Sequence, residues 1–224
     1  MLITGFATGA LSANCWVVAV AAGAPCVLID PGMDAEPRID QALAEHDLRP
    51  AAVLLTHGHL DHSYDATAIC ARYDIPVHLH PADRGQLTDP WSALGLPRGM
   101  PVLDRTDFAE PARLVDLAPG PLAVAGLEFT VHESPGHTPG SVALELSTQD
   151  IPILFSGDFL FAGSIGRMDF PGGDETQMYE SLERVLSPMT DDTVVHPGHG
   201  DSTTIGHERA ANPYLRAISQ QRTS

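Results

Sequence analysis

The chain predicts an α/β fold. Short apolar runs of strand length alternate with segments in which apolar residues recur at three- and four-residue spacing. Several strand-like runs come before the first helical segment, and a second group of strands and helices follows residue 115. With 224 residues, 43% hydrophobic and 6% aromatic, the chain can bury one large core or two halves sharing a core. The expectation is a single domain over residues 1–224.

In order, the strand-like runs are Leu2 to Phe6, Cys15 to Val20, Cys26 to Ile29, Ala51 to Leu55 and Pro76 to Leu79, then Leu127 to His132, Ser141 to Leu146, Ile151 to Phe155 and Thr193 to Val195. Helical spacing appears at Ile39, Ala42, Leu43 and His46, at Ala66, Ile69, Cys70 and Tyr73, and at Met178, Leu182, Val185 and Leu186. These stripes are core faces. Residues 81 to 112 break the pattern: Pro81, Pro90, Pro97, Pro101 and Pro111, with Gly95 and Gly99, make a connection too long for an ordinary loop. It is expected to cover a substrate pocket, with Trp91 as an apolar wall.

Composition excludes several function classes. Twelve basic against 29 acidic residues give a net charge of −17, which argues against nucleic acid or an anionic membrane as partner, since both need a basic footprint. No run approaches the ~20 apolar residues of a membrane span. The first basic residue is Arg38, so Trp16 to Val20 reads as a strand and not as part of a signal peptide. Cys15, Cys26 and Cys70 are odd in number, apolar in setting and without metal spacing, as free thiols of a cytoplasmic protein would be.

The densest chemistry lies at Thr56-His57-Gly58-His59-Leu60-Asp61-His62, directly after the apolar run Val53-Leu54-Leu55. Imidazole and carboxylate together suit zinc, manganese or iron, and crowded on one loop they leave uncompensated polar groups unless a cation or water collects them. His57 and His59, two apart on an extended segment, can aim at one ion, while Asp61 and His62, opening the next helix, can face a second. Three further segments set a candidate ligand among glycines and prolines just past an apolar run: Ser134-Pro135-Gly136-His137, Phe155-Ser156-Gly157-Asp158 and His196-Pro197-Gly198-His199-Gly200. A lone His or Asp in a turn is usually solvated or capping. Four such segments in one chain point to one shared site.

In this order of motifs the sequence resembles the metallo-β-lactamase superfamily, over nearly the whole chain. Gly163-Ser164-Ile165-Gly166-Arg167-Met168-Asp169-Phe170-Pro171-Gly172-Gly173-Asp174 and Thr203-Thr204-Ile205-Gly206 resemble the short bacterial branch of glyoxalase II proteins, the hydroxyacylglutathione hydrolases. The resemblance implies an αββα sandwich, two mixed β-sheets face to face with helices outside and the site at one edge. It implies that His57, His59 and His137 hold one metal, that Asp61, His62 and His199 hold another, and that Asp158 bridges them. The cofactor so implied is a pair of divalent ions, zinc first, with iron and manganese as the other candidates.

The implied activity is hydrolysis of a small-molecule thioester such as S-D-lactoylglutathione, a hydroxide shared by the ions attacking the carbonyl, with Asp61 and Asp158 as catalytic residues. A thiol has a pKa of about 8.5, so a thiolate can depart without the general acid that an amine or alkoxide requires. Arg167 is the first candidate for binding substrate, through a carboxylate of the thiol carrier, or else for ordering its own loop by pairing with Asp169 or Asp174. Ser164 and Phe170 are further candidates. His80, ending a strand, is a candidate donor behind the metal ligands. The customary Gly-Gly after the first motif is replaced by Ser63-Tyr64-Asp65, where Tyr64 or Asp65 alters the pocket or packs the helix.

Full-length glyoxalase II carries an additional C-terminal helical domain with basic residues for glutathione, whereas only Arg209, Arg216 and Arg222 follow His199 here, so the thiol carrier is left open. Two alternatives on the same fold also stay open. One is a persulfide dioxygenase with a single iron at His57, His137 and Asp158; the other is a lactonase-type metallohydrolase.

Overall fold

In the computed structural model, residues 1–100, 107–148 and 151–221 are described. Pro101 of the proline-rich segment and Arg222 lie outside them. The first half builds a six-stranded sheet in sequence order: β1 (Leu2–Thr8), β2 (Ala13–Ala19), β3 (Pro25–Ile29), β4 (Arg49–Leu54), β5 (Val77–Leu79) and β6 (Leu114–Asp116). The first three are antiparallel and the rest parallel. Parallel neighbours need crossovers, and these carry the helices α1 (Glu36–His46), then α2 (Leu60–Ser63) with α3 (Ala66–Tyr73). The last crossover, from β5 to β6, contains α4 (Pro90–Ala93).

The second half builds another six-stranded sheet from β7 (Gly120–Val124), β8 (Leu127–Glu133), β9 (Val142–Leu146), β10 (Ile153–Gly157), β13 (Val194–Pro197) and β14 (Thr203–Thr204), while β11 (Leu160–Phe161) and β12 (Ser164–Ile165) form a separate hairpin. α5 (Glu175–Leu186) carries the parallel crossover from β10 to β13, and α6 (Ile205–Ala211) and α7 (Pro213–Gln221) close the described chain. Among the described residues no helix is long and apolar enough to cross a membrane.

The period-two alternation of strand side chains explains how these layers stack. On β2 to β4, Cys15, Val17, Ala19, Cys26, Leu28 and Val53 face α1 and α3, where they meet Ile39, Leu43, Ile69 and Cys70. Their neighbours Val18, Val27, Ile29 and Leu54 point the other way, onto Phe129, Val131, Val142, Leu144 and Phe155 of the second sheet. The outer face of that sheet, with Ala143, Leu154 and Val195, is covered by Met178, Leu182, Val185 and Leu186 of α5 together with Ile205 and Leu215. The result is the αββα sandwich. Strands buried on both faces lose the polar alternation of an exposed sheet, which is why β2 and β3 read as continuous apolar runs.

Topology also fixes where a site can form. β8 and β10 are each antiparallel to β9, and β10 is parallel to β13, so β8, β10 and β13 all run the same way and end at one edge. The segments bearing His137, Asp158 and His199 leave those three ends, and the segment bearing His57 to His62 leaves the end of β4 in the facing sheet.

The proline-rich connection is more ordered than its sequence suggests. It opens with a 3-10 helix over Pro81–Leu87, whose Asp83 is fully buried, and continues into α4. Trp91 is 3% exposed, donates from Nε1 to Met100 O at 3.1 Å and meets the Phe108 ring edge-on. It anchors the segment from beneath and does not line the cleft; Leu94, three residues on, does.

Candidate metal centre

The loop after β4 is tied down by a residue that sequence reading did not single out. Asp30, at the end of β3 and 2% exposed, accepts from Thr56 N at 2.7 Å and Thr56 Oγ1 at 2.6 Å, and its Oδ2 lies 3.0 Å from His62 Nδ1. Because the Thr56 hydroxyl gives its proton to Asp30, it can only accept from His57 Nδ1, 3.1 Å away. His57 therefore turns a bare Nε2 lone pair inward. His137 is set the same way: its Nδ1 lies 2.7 Å from Arg167 O, which can only accept, leaving Nε2 unprotonated in the neutral ring. Each imidazole is held by one nitrogen so that the other faces the centre, as a metal-ligating histidine requires.

Around that centre the candidate ligands fall into adjoining groups. His57, His59 and His137 each offer one ligand atom with these atoms within 4.8 Å of one another, and so do Asp61, His62 and His199. His59 Nδ1 is 2.8 Å from His137 Nε2. In the other group His199 Nε2 is 3.2 Å from both His62 Nε2 and Asp61 Oδ2. Asp158 spans the two: Oδ1 lies 3.3 Å from His62 Nε2, while Oδ2 lies 3.5 Å from His137 Nε2 and 3.6 Å from His199 Nε2. All seven predicted ligands are thus brought together.

The electrostatics match a cation site. Burial, reinforced by the neighbouring imidazoles, holds His57 well below the usual histidine range, and burial with His137 beside it pulls His59 down to about 3. Both are neutral ligands at pH 7. Burial raises Asp61 and Asp158, but the attraction of His62 and its neighbours outweighs it, so both carboxyls sit below their ordinary value and are ionised. Burial lowers His62, yet Asp158 and Asp61 outweigh that and hold a proton on it that a bound cation would displace. His57 Nε2 and His59 Nε2 are buried and accept or donate no hydrogen bond. Leaving such atoms unpaired costs about 1–3 kcal/mol each. A divalent cation bound by imidazole and carboxylate removes that cost, so the residues present fit a metal.

Close backbone approach explains a glycine of the last motif. A Cβ at Gly198 would stand 2.2 Å from Asp158 Oδ1 and 2.7 Å from His62 Cε1, so only glycine lets the loop pass over the ligands. That loop is fixed from β2 by Asn14, another residue missed in the sequence, whose Nδ2 donates to Pro197 O and Gly200 O at 3.0 and 2.9 Å.

A cleft of about 430 Å³ opens beside the ligands, reaching His59, Asp61, His137, Asp158 and His199. Its walls are Leu11, Leu94, Phe161, Ile165 and Phe170, with Ser164 and Arg167 as polar additions. Arg167 borders the cleft but is already engaged: Nε and Nη2 each donate to Asp169 at 2.7 Å, and its guanidinium lies 3.9 Å from the Phe170 ring centroid. Asp174 instead caps α5 through Gln177 N. His80 stands apart from the ligands, accepting from Ala82 N with Nε2 toward Glu133. Asp65 accepts from Ala35 N and Glu36 N at the start of α1, which is helix packing and not pocket shaping, and Tyr64 meets the Phe108 ring. Arg209 is spent on the carbonyls of Leu186 and Met189.

Comparison with known proteins agrees with this geometry. Hydroxyacylglutathione hydrolase GloC of Haemophilus influenzae is 35% identical over 196 residues, covering 86% of this chain and 88% of that protein. The crystal structure of BLEG-1 B3 metallo-beta-lactamase superposes with a TM-score of 0.83 at 36% identity, covering 96% of this chain and 99% of that one. That of TTHA1623 in a di-iron-bound form superposes with a TM-score of 0.76 at 35% identity, covering 95% and 100%. The family model described as the metallo-beta-lactamase superfamily matches residues 8–199, and its span runs from β1 to the last candidate ligand, His199. The chain belongs to the metallo-beta-lactamase superfamily.

Proposed function

We propose that this metallohydrolase cleaves thioesters of the S-D-lactoylglutathione type with two divalent ions bound side by side. The observation that carries the reading is Asp158, whose two oxygens face ligands of both groups. His57, His59 and His137 would hold one ion, Asp61, His62 and His199 the other. When bound, such ions supply a nucleophilic water at neutral pH and polarise a carbonyl.

The chain's own groups then do the rest. The apolar walls, Leu11, Leu94, Phe161, Ile165 and Phe170, strip water from the scissile region, which strengthens the electrostatics inside. Ser164 and Arg167 orient the polar part of the substrate, Arg167 by exchanging Asp169 for a substrate carboxylate. Asp61, ionised and bordering the cleft, would act as a metal ligand and as a transient relay for the proton released on attack, since its lowered carboxyl gives that proton up again readily. Among the described residues the cleft offers no Tyr, Lys or Cys as a separate general acid, which suits a thiolate leaving group of pKa about 8.5. The similarity to GloC supports the same substrate class. Zinc is our first choice of metal, with iron next, given the di-iron relative.

Thioester hydrolysis by protein of known metal content tests the reading, beside an oxygen electrode with glutathione persulfide and a β-lactam. Turnover of S-D-lactoylglutathione that falls more than about 100-fold in Asp158→Ala is expected, since losing even an outer partner of a ligand costs 10–100-fold. Oxygen uptake, or β-lactam opening without thioester turnover, would contradict it.

A further inference from the structure

Asp83 sits between two of the ligand-bearing loops without being a ligand. It comes from the 3-10 helix after β5, and its side chain is fully buried. Oδ2 accepts from Gly58 N at 2.9 Å and from Thr138 Oγ1 at 2.6 Å, while Oδ1 accepts from Gly140 N at 2.7 Å. Gly58 is the peptide between His57 and His59, and Thr138 follows His137. One carboxylate therefore fastens together the backbone on which three ligands hang, and those are the members of one ligand group.

The surroundings are shaped around this carboxylate. A Cβ at Gly140 would stand 2.7 Å from Asp83 Cγ, and one at Gly58 would stand 2.8 Å from Asp83 O, so both glycines admit its close approach. Burying a carboxylate is expensive unless its oxygens are satisfied, and here two amides and a hydroxyl satisfy both. The second ligand group is held by other residues: His62 by Asp30, and the loop of His199 by Asn14.

We infer that Asp83 is a positioning residue that sets His57, His59 and His137 in mutual register, so that its loss weakens metal binding at that group and spares Asp61, His62 and His199. This rests on the reading of the site as two adjoining metal positions. Asn at this position supplies only one oxygen, and its NH2 must then face a donor amide on one side.

Zinc affinity measured by chelator competition, with zinc per chain, tests the inference on wild type, Asp83→Asn and Thr138→Val. Ile39→Ala, in the core cluster beneath α1, which includes neither Asp83 nor its hydrogen-bond partners, serves as a destabilised comparator. Wild type is expected to hold about two ions and Asp83→Asn about one, the lost ion bound at least ~10-fold more weakly. Thr138→Val, which removes one of the three bonds, should shift affinity the same way by less, and it decides the matter if Asp83→Asn does not fold. Histidine side-chain NMR adds a reading that general loosening would not give: zinc-induced shifts should vanish at His57, His59 and His137 and persist at His62 and His199. Retention of both ions at wild-type affinity, or loss of both in step with Ile39→Ala, would overturn the inference. A wild-type chain that binds fewer than two zinc ions overturns the two-position reading beneath it.

Discussion

At His57, His62 and His137 the chemistry depends on which ring nitrogen carries a proton, and neighbours settle it: Thr56 and Asp30 at the first two, the Arg167 carbonyl at the third. The seven candidate ligands were legible in the sequence because His and Asp crowd among glycines and prolines after apolar runs. Asp30, Asn14 and Asp83 were not, since a single Asp or Asn in a turn looks the same whether it is solvated or holds a distant loop. His196 gives a residue-scale prediction. Its ring packs on Trp16 and Phe155, with centroids at 4.3 and 5.3 Å, and burial pulls it down to about 4. The folded value lies below the unfolded ~6.5, so above pH 6.5 both states are neutral and His196 is without effect. Below it the unfolded chain takes up the proton first, and stability falls until about pH 4. NMR titration should place the His196 midpoint near 4; a midpoint at 6.5 or above would refute the burial argument.

Elements that bury a face on both sides of a sheet announced themselves, as did the edge strand β1 and the short β5, whereas β6, β7 and β14 did not. β2, β3, β8, β9 and β10 coincide with apolar runs to within about two residues, and the stripes of α1, α3 and α5 fall within their helices, with α1 and α5 each beginning three residues before the stripe. β14 is two residues long and polar, β6 is exposed at two of its three residues, and β7 at the sheet edge is half exposed along its length. The 3-10 helix and α4 hide in a proline-rich stretch because their order comes from tertiary anchors, Asp83 and Trp91, and not from local spacing. α1 shows the same dependence: its own Ala35 supplies no side-chain cap, and Asp65 of the α2–α3 turn accepts from its first amides instead. Asp65→Ala should cost about 1 kcal/mol in denaturant unfolding, the usual worth of a cap. Asp65→Asn should lie close to wild type at neutral pH, because burial raises the Asp65 carboxyl and the cap needs an oxygen more than a charge. An Asn variant as weak as Ala would show that the charge matters.

For the whole molecule, two sheets bring strand ends to one edge, where loops from both deliver ligands to a cleft with apolar walls. The face-to-face arrangement could be read only through the resemblance, since composition and periodicity tell that strands exist and not which sheet each joins. The connection expected to cover the pocket is fixed at its start to the ligand loops by Asp83, and among its described residues Leu94 borders the cleft. On the proposed function, Asp158 unites two metal positions into one hydrolytic centre. Its most direct test is to strip the protein of metal and add zinc stepwise while following both bound metal and S-D-lactoylglutathione hydrolysis. Activity is expected to rise and saturate at about two ions per chain. Full activity with a single ion, or two bound ions and no thioester turnover, would contradict it.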